Sequence, residues 1–152
     1  MKNTDCIEKQ ILFRAPLAKV WSALTDTRQF GTWFRCELEG EFKPGSWTYG
    51  RTTHPEYMHL KMALLIEKLE PQHTFSYRWH PFAVDPSVDY SLEPTTLVEF
   101  RLEERAEGTQ LFVRESGFDQ LEEARRAEAY PMNDGGWTEQ LHNIERYLQA
   151  QT

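Results

Sequence analysis

The stretch Trp137-Thr138-Glu139-Gln140-Leu141-His142-Asn143-Ile144-Glu145-Arg146-Tyr147-Leu148 decides the fold of this sequence. Trp137, Leu141, Ile144 and Leu148 stand at i, i+4, i+7 and i+11, which is the spacing of one face of an α-helix. The residues between them are mostly polar or charged. We therefore predict a long amphipathic helix whose apolar stripe is buried against the rest of the molecule.

Two features before this stretch predict where the helix starts. Asn133 or Asp134 can cap it, and Gly135-Gly136 allows another backbone to approach closely. A separate, shorter helix is predicted from Leu121 to Ala129. It is expected to end before Pro131, because proline interrupts helical hydrogen bonding.

The middle of the sequence, from about Glu37 to Gly117, has apolar residues at every second position, as in strands with one buried face. Turn signals such as Pro44-Gly45 and Gly108 separate these runs. The pattern favours an antiparallel meander. Four predicted strand segments are 60–70, 75–79, 98–102 and 111–115, and a further strand carries Trp47, Tyr49 and Arg51 on one face.

The N-terminal part predicts one strand and two short helices. Ile7–Phe13 alternates as a strand does. Pro16 then suits the first turn of a helix that carries the stripe from Leu17 to Leu24. Asp26 or Thr27 is a candidate cap for a second short helix. This order of elements predicts the α+β class and a single domain over residues 1–152.

Composition excludes several classes of partner. The 152 residues include 17 basic and 24 acidic ones, a formal charge of -7, with no basic stripe for a nucleic acid. No apolar run approaches the roughly 20 residues of a membrane span, and we expect no membrane insertion. The sequence after Met1 has no apolar signal-peptide core, which favours the cytoplasm. Two cysteines cannot form a disulfide framework.

An ordered set of short motifs resembles one superfamily. The residues Ile11-Leu12-Phe13-Arg14-Ala15-Pro16 with Val20-Trp21, then Trp33-Phe34, Pro44-Gly45 and Phe75-Ser76-Tyr77-Arg78-Trp79 are similar to the helix-grip (START-like, SRPBCC) superfamily. Gly117-Phe118, Gly136-Trp137 and 141–148 resemble its branch named after the activator of heat-shock protein 90 ATPase (AHSA-type). The resemblance implies a curved antiparallel sheet of about seven strands. The sheet would wrap around the C-terminal helix, with two short helices after strand 1 and a deep cavity.

The resemblance implies less about function, since its members range from lipid carriers and polyketide cyclases to a co-chaperone domain. It supplies no invariant catalytic residue. The co-chaperone activity belongs to proteins with an additional N-terminal chaperone-binding domain, which this sequence does not contain, so we do not expect it here.

No metal or cofactor site is predicted. His54 and His59, with Glu56 between them, do not have the helical spacing of zinc hydrolases, and lone histidines are commoner on surfaces than as ligands. The sequence has neither a Cys-x-x-Cys motif nor a glycine-rich phosphate loop.

One polar pair is the sharpest site hypothesis. The alternation that turns Leu111 and Val113 inward also turns Glu115 inward, and Arg51 shares a face with Trp47 and Tyr49. A buried carboxylate needs a partner. Glu115 would therefore pair with Arg51 in the cavity or meet a polar group of a ligand. Alternatively, both residues lie near strand ends and reach water.

The aromatic residues allow two interpretations as well: a solid core, or the walls of a cavity. The predicted cavity residues are Trp33, Trp47, Tyr49, Arg51, Met62, Phe75, Tyr77, Trp79, Phe100, Val113, Glu115, Trp137 and Leu141.

The segment 80–94 is long for a loop in a compact domain and contains three prolines. Such loops are often lids or contact surfaces. Phe82, Val84, Val88 and Tyr90 could cover the cavity mouth or join a homodimer, and a packed loop without any ligand role is the alternative.

These observations favour a non-catalytic protein that holds an apolar or aromatic small molecule between the sheet and the last helix. One alternative is an enzyme of the cyclase or hydrolase type that uses Glu115 as its acid or base. Another is an interaction module that dimerises through the 80–94 loop.

Overall fold

A computed structural model describes residues 5–57, 60–85 and 87–151. Within these ranges, seven strands and three α-helices follow an α+β order, with two helices after the first strand and one after the last. Their bounds are β1 Cys6–Phe13, α1 Leu17–Thr25, α2 Thr27–Phe34, β2 Cys36–Leu38, β3 Trp47–Thr52, β4 Lys61–Glu70, β5 Thr74–Trp79, β6 Thr96–Arg105, β7 Gly108–Ser116 and α3 Glu123–Ala150.

The strands form one antiparallel sheet in the order β1-β7-β6-β5-β4-β3-β2. The helix pair α1 and α2 connects the two edge strands, β1 and β2, and both helices contact α3. The predicted helix-grip fold, a curved sheet around a long C-terminal helix with two short helices after the first strand, is confirmed.

The long helix differs from its prediction at its start. It runs without a break from Glu123, so the predicted short helix and the long helix are one element with Pro131 inside it. Proline removes a single backbone donor and so one helical hydrogen bond, a loss that the packing of a 28-residue helix can outweigh. Asn133 and Asp134 lie within the helix and do not cap it.

The helix α2 begins as its sequence predicts. The Asp26 side chain accepts hydrogen bonds from the backbone N–H groups of Arg28 and Gln29, at 2.9 and 3.2 Å, which satisfies donors that have no partner within the helix. The helix ends at Arg35, whose φ of 69° is left-handed. It delivers Phe30 and Trp33 into the core.

The inner face of β3 differs from its prediction. Thr48 is buried and Gly50 half-buried, opposite the inward Leu64 and Met62 of β4, while Trp47 and Tyr49 are 41% and 54% exposed. Alternation shows which residues share a face but not which face is buried, and the larger residues here face outward. The two rings stack on each other at 6.3 Å on that outer face.

No helix in the described part of the chain is both long and apolar enough to cross a membrane.

Candidate functional site

A cavity of about 1000 Å³ opens at one end of the sheet. Its walls are residues between Tyr49 and Tyr57, residues 60–63, described residues of the loop after β5, the end of α2 and the middle of α3. Six aromatic residues line it: Phe34, Tyr57, Trp79, Phe82, Tyr90 and, from the outer face of β3, Tyr49.

Apart from Pro131 and Met132, the side of α3 that faces the cavity carries glycines and polar residues. Gly135 and Gly136 both lie on this wall, and a Cβ atom added at either would meet no heavy atom within 4 Å. The prediction that this pair allows close backbone approach is therefore wrong. The missing side chains leave open space instead.

Directly behind this wall lies Glu115, which is 0% exposed. Trp79 Nε1 and Thr96 Oγ1 donate to its Oε2 at 2.8 and 2.5 Å, and Trp137 Nε1 donates to Oε1 at 2.8 Å. Asn133 Nδ2 lies 2.9 Å from Oε1 and 3.2 Å from Oε2. The two indoles and the amide nitrogen can only donate, so this set of partners matches an ionised carboxylate, which only accepts.

The four donors come from three different elements. Trp79 ends β5, Thr96 begins β6, and Asn133 and Trp137 lie one turn apart on α3. Glu115 itself is the last buried residue of β7, where the inward alternation of Thr109, Leu111 and Val113 continues to the strand end. The carboxylate therefore joins the sheet to the helix at the base of the cavity.

The predicted ion pair between Glu115 and Arg51 does not form. Arg51 lies on the exposed outer face of β3, where its Nη2 is 3.3 Å from Oε2 of Glu37. The prediction failed because it placed the face of β3 that carries Arg51 in the interior, whereas that face is exposed. Among the described residues, no lysine, arginine or histidine bonds to Glu115.

Only three of the predicted cavity residues line this cavity, namely Tyr49, Met62 and Trp79. Most of the others form a packed core beside it. Phe75 stacks on Phe100 at 6.1 Å, and Phe100 meets Trp137 edge-on at 5.6 Å. Besides Glu115, the buried residues of the predicted set are Trp33, Phe75, Tyr77, Phe100, Val113, Trp137 and Leu141.

Two buried polar atoms have no hydrogen-bond partner among the described residues: the Tyr77 hydroxyl and Nδ1 of His80. Burial, with smaller contributions from Glu115 and Cys36, raises the pKa of the Tyr77 phenol. Burial is also the main cause that lowers the pKa of His80, so its imidazole is neutral at neutral pH. His80 lies in the cavity wall, whereas Tyr77 lies in the core.

The loop between β5 and β6 borders the cavity and is held to α3 by Arg125. The guanidinium contacts both carboxylate oxygens of Glu93 at 3.0 and 3.1 Å, donates to the Pro81 carbonyl at 2.7 Å, and lies 4.8 Å from the centre of the Tyr90 ring. Phe82 packs edge-on against Tyr57 at 6.4 Å, across the cavity mouth. A homodimer through this loop stays a prediction.

The structure offers no metal centre within the ranges it describes: no three His, Cys, Asp or Glu side chains are grouped to hold an ion. His54 Nδ1 accepts from the backbone N–H of Glu56 at 3.1 Å. His59, the other histidine of that hypothesis, lies outside the described residues.

Sequence reasoning missed two functional positions, Asn133 and Arg125. A break predicted at Pro131 assigned Asn133 to a helix cap, although counting back one helical turn from Trp137 would have placed both on one side of a continuous helix. No local pattern connects Arg125 with Glu93, since 32 residues separate them.

Comparison with solved structures shows the same fold in proteins of low sequence identity. Protein MLL2253 from Mesorhizobium loti is 21% identical, with a TM-score of 0.76 over 97% of this chain and 98% of that one. A protein from Arthrobacter aurescens is 18% identical, with a TM-score of 0.80 over 99% and 90%. DynU16, a protein of the dynemicin biosynthetic locus, is 22% identical, with a TM-score of 0.72 over 95% of this chain and 47% of that one. No curated protein matches the sequence.

A family model described as "Activator of Hsp90 ATPase homolog 1-like protein" matches residues 14–149. The match spans α1 to α3 and every strand except β1. It confirms the resemblance that the sequence motifs carry, and this chain therefore belongs to the Activator of Hsp90 ATPase homolog 1-like family.

Proposed function

We propose that this protein binds an apolar or aromatic small molecule in the cavity between α3 and the loop that follows β5. The observation that carries the proposal is the cavity itself, whose volume of about 1000 Å³ is walled by six rings and two glycines. Ligand sites are usually concave and mostly apolar, with a few polar groups that orient the ligand. The imidazole of His80 and the side chain of Asn133 are such groups in this wall.

The contacts of Glu115 favour binding over catalysis. A general base has to come within hydrogen-bond reach of the proton that it removes. Glu115 is covered by Trp79 and Asn133, and its oxygens already accept from four donors. Its role in the proposal is to hold the two cavity-lining side chains, Trp79 and Asn133, in position.

The test blocks the cavity without disturbing the core. Gly136→Leu adds a side chain to the open wall, where an added Cβ meets nothing within 4 Å. Binding of the neutral dye Nile red is measured by its fluorescence in the wild-type protein and in this variant. We expect the wild-type protein to bind the dye and Gly136→Leu to bind it at least about tenfold more weakly, because the leucine occupies the ligand volume.

The matched control is Ala127→Leu, which adds the same bulk to an exposed position of the same helix, away from the cavity. It should bind the dye as the wild-type protein does. Equal binding by Gly136→Leu and the wild type, or no binding by the wild type, would contradict the proposal. Native mass spectrometry of the purified protein then shows whether a ligand is retained from the expression host.

A further inference from the structure

We infer that the ligand of this cavity is an organic cation, an amine or quaternary ammonium group on an apolar or aromatic body. The inference rests on the proposed binding function and names the chemical class of the ligand. It follows from one buried negative charge without a positive partner, from the rings that face the cavity, and from the charges at the cavity rim.

The first argument is the uncompensated charge of Glu115. Its four partners are neutral, and no cationic side chain among the described residues bonds to it. Neutral donors stabilise a carboxylate but do not cancel its charge. Because the carboxylate is 0% exposed, water and salt screen its field far less than they screen a surface charge.

The second argument is the short path from that charge to the cavity. Trp79 and Asn133 each line the cavity and also donate to Glu115, so a single layer of side chains separates the carboxylate from a ligand. The amide nitrogen of Asn133 is committed to Glu115. The group that Asn133 offers to a ligand is therefore its carbonyl oxygen, an acceptor.

The third argument is the aromatic wall. Ring faces attract cations, and the attraction is strongest where the cation is shielded from water. Tyr90 already receives one cation, because the Arg125 guanidinium lies 4.8 Å from its ring centre. Besides Tyr49 on the outer face of β3, four further rings border the same cavity, among them Trp79, whose indole N–H is the donor to Glu115.

The balance of charge at the rim is negative, like the charge of Glu115. Four carboxylates, those of Glu56, Asp85, Asp89 and Glu139, line the cavity, against the two cations Arg35 and Lys61. Hydrogen bonds from Ser87 and Ser91 lower the pKa of Asp85 and of Asp89 respectively, so both are ionised at neutral pH. These groups are exposed and contribute less than Glu115.

The experiment compares three probes that share one body and differ in charge: 2-naphthylmethylamine, 2-naphthalenemethanol and 2-naphthoate. Isothermal titration calorimetry at neutral pH and constant ionic strength measures the Kd of each probe for the wild-type protein. We expect the amine to bind about tenfold more tightly than the alcohol, and the carboxylate to bind most weakly. The expected gain in affinity of the amine comes from a desolvated cation–π contact and from the attraction of one buried negative charge.

Two variants locate the source of the preference. Glu115→Gln should reduce the preference for the amine over the alcohol to less than about threefold while alcohol binding is retained, and near-ultraviolet circular dichroism checks that the core is intact. Glu139→Gln changes a solvent-exposed rim residue and should reduce the preference by about twofold. Glu104→Gln is the matched control, since it removes one charge at the far end of β6 and should leave the preference unchanged.

The outcomes separate this inference from the proposed function. Equal binding of amine and alcohol by the wild-type protein would overturn the inference and leave the binding function standing. A preference that survives unchanged in a folded Glu115→Gln, or that falls as much in Glu104→Gln, would also overturn it. Failure of Nile red and of all three probes to bind would overturn both.

Discussion

The buried side and the cavity-facing side of α3 differ in what their side chains do. The buried side carries Trp137, Leu141, Ile144 and Leu148, which fill the space against the sheet. The cavity-facing side carries two glycines and mainly polar residues, and space remains in front of the glycines. One helix can thus hold the fold together along one stripe and leave room for a ligand along another.

Glu115 lies where the two sides meet. Trp137, on the buried side, and Asn133, one turn earlier in the cavity wall, both donate to it. A charge held by neutral donors fixes the rotation of α3 against the sheet, because turning the helix would leave those donors and the carboxylate unpaired. The packed core therefore sets which residues of α3 face the cavity.

The largest expected effect is the loss of packing on the buried side. Ile144→Ala should lower the free energy of unfolding by about 2–5 kcal/mol, because a fully buried side chain is replaced by a cavity. Glu139→Ala, on the cavity-facing side, should change it by less than about 0.5 kcal/mol. Chemical denaturation of both variants measures the difference, and similar losses would contradict the division between the two sides.

The next expected effect is a pH dependence of stability, which reports how well water is excluded from the packed interior. Burial, and to a lesser degree Glu37, raises the pKa of the Cys36 thiol from 9.0 to about 12. Above the ordinary pKa the unfolded chain loses this proton and the folded chain keeps it, so stability falls with rising pH up to about 12. The slope for one such group is about 1.4 kcal/mol per pH unit.

Chemical unfolding of the wild-type protein and of Cys36→Ala, followed as the pH is raised from neutral into this window, tests the slope. The variant should lose less stability per pH unit than the wild type, and a smaller loss should remain because Tyr77 also has a raised pKa. Cys6→Ala, which changes the half-buried thiol on β1, is the control. Identical slopes in the wild type and Cys36→Ala would show that the thiol ionises freely in the folded state.

The smallest expected effect is a gain in stability rather than a loss. Gly136→Ala should raise the free energy of unfolding by about 1 kcal/mol, since alanine favours a helix interior and its Cβ meets nothing within 4 Å. Gly31→Ala makes the same change in α2, where the added Cβ would lie 2.3 Å from the Cys36 carbonyl oxygen, and should destabilise by about 1–3 kcal/mol. Stabilisation of both variants would contradict the contrast between the open space beside Gly136 and the close contact at Gly31.

The sequence predicted the main elements of the fold well and the site only in part. Periodicity identified the buried stripe of α3. The Asp26 cap and the inward alternation of β7 were also predicted, because both depend on residues that are close together in the chain. Two kinds of error remained. Pro131 was taken as a helix end, and the wrong face of β3 was taken as buried, because both outcomes depend on packing against distant segments.

The spacing of Trp137, Leu141, Ile144 and Leu148 was sufficient by itself to determine that a long helix would bury one face. Apolar residues at this spacing lie on the same side of an α-helix. Only the tertiary structure decided what surrounds Glu115. Its donors come from β5, β6 and α3, and their convergence depends on strand register and helix rotation rather than on any spacing in the chain. The cavity has the same origin, since empty space between elements is a property of how they pack.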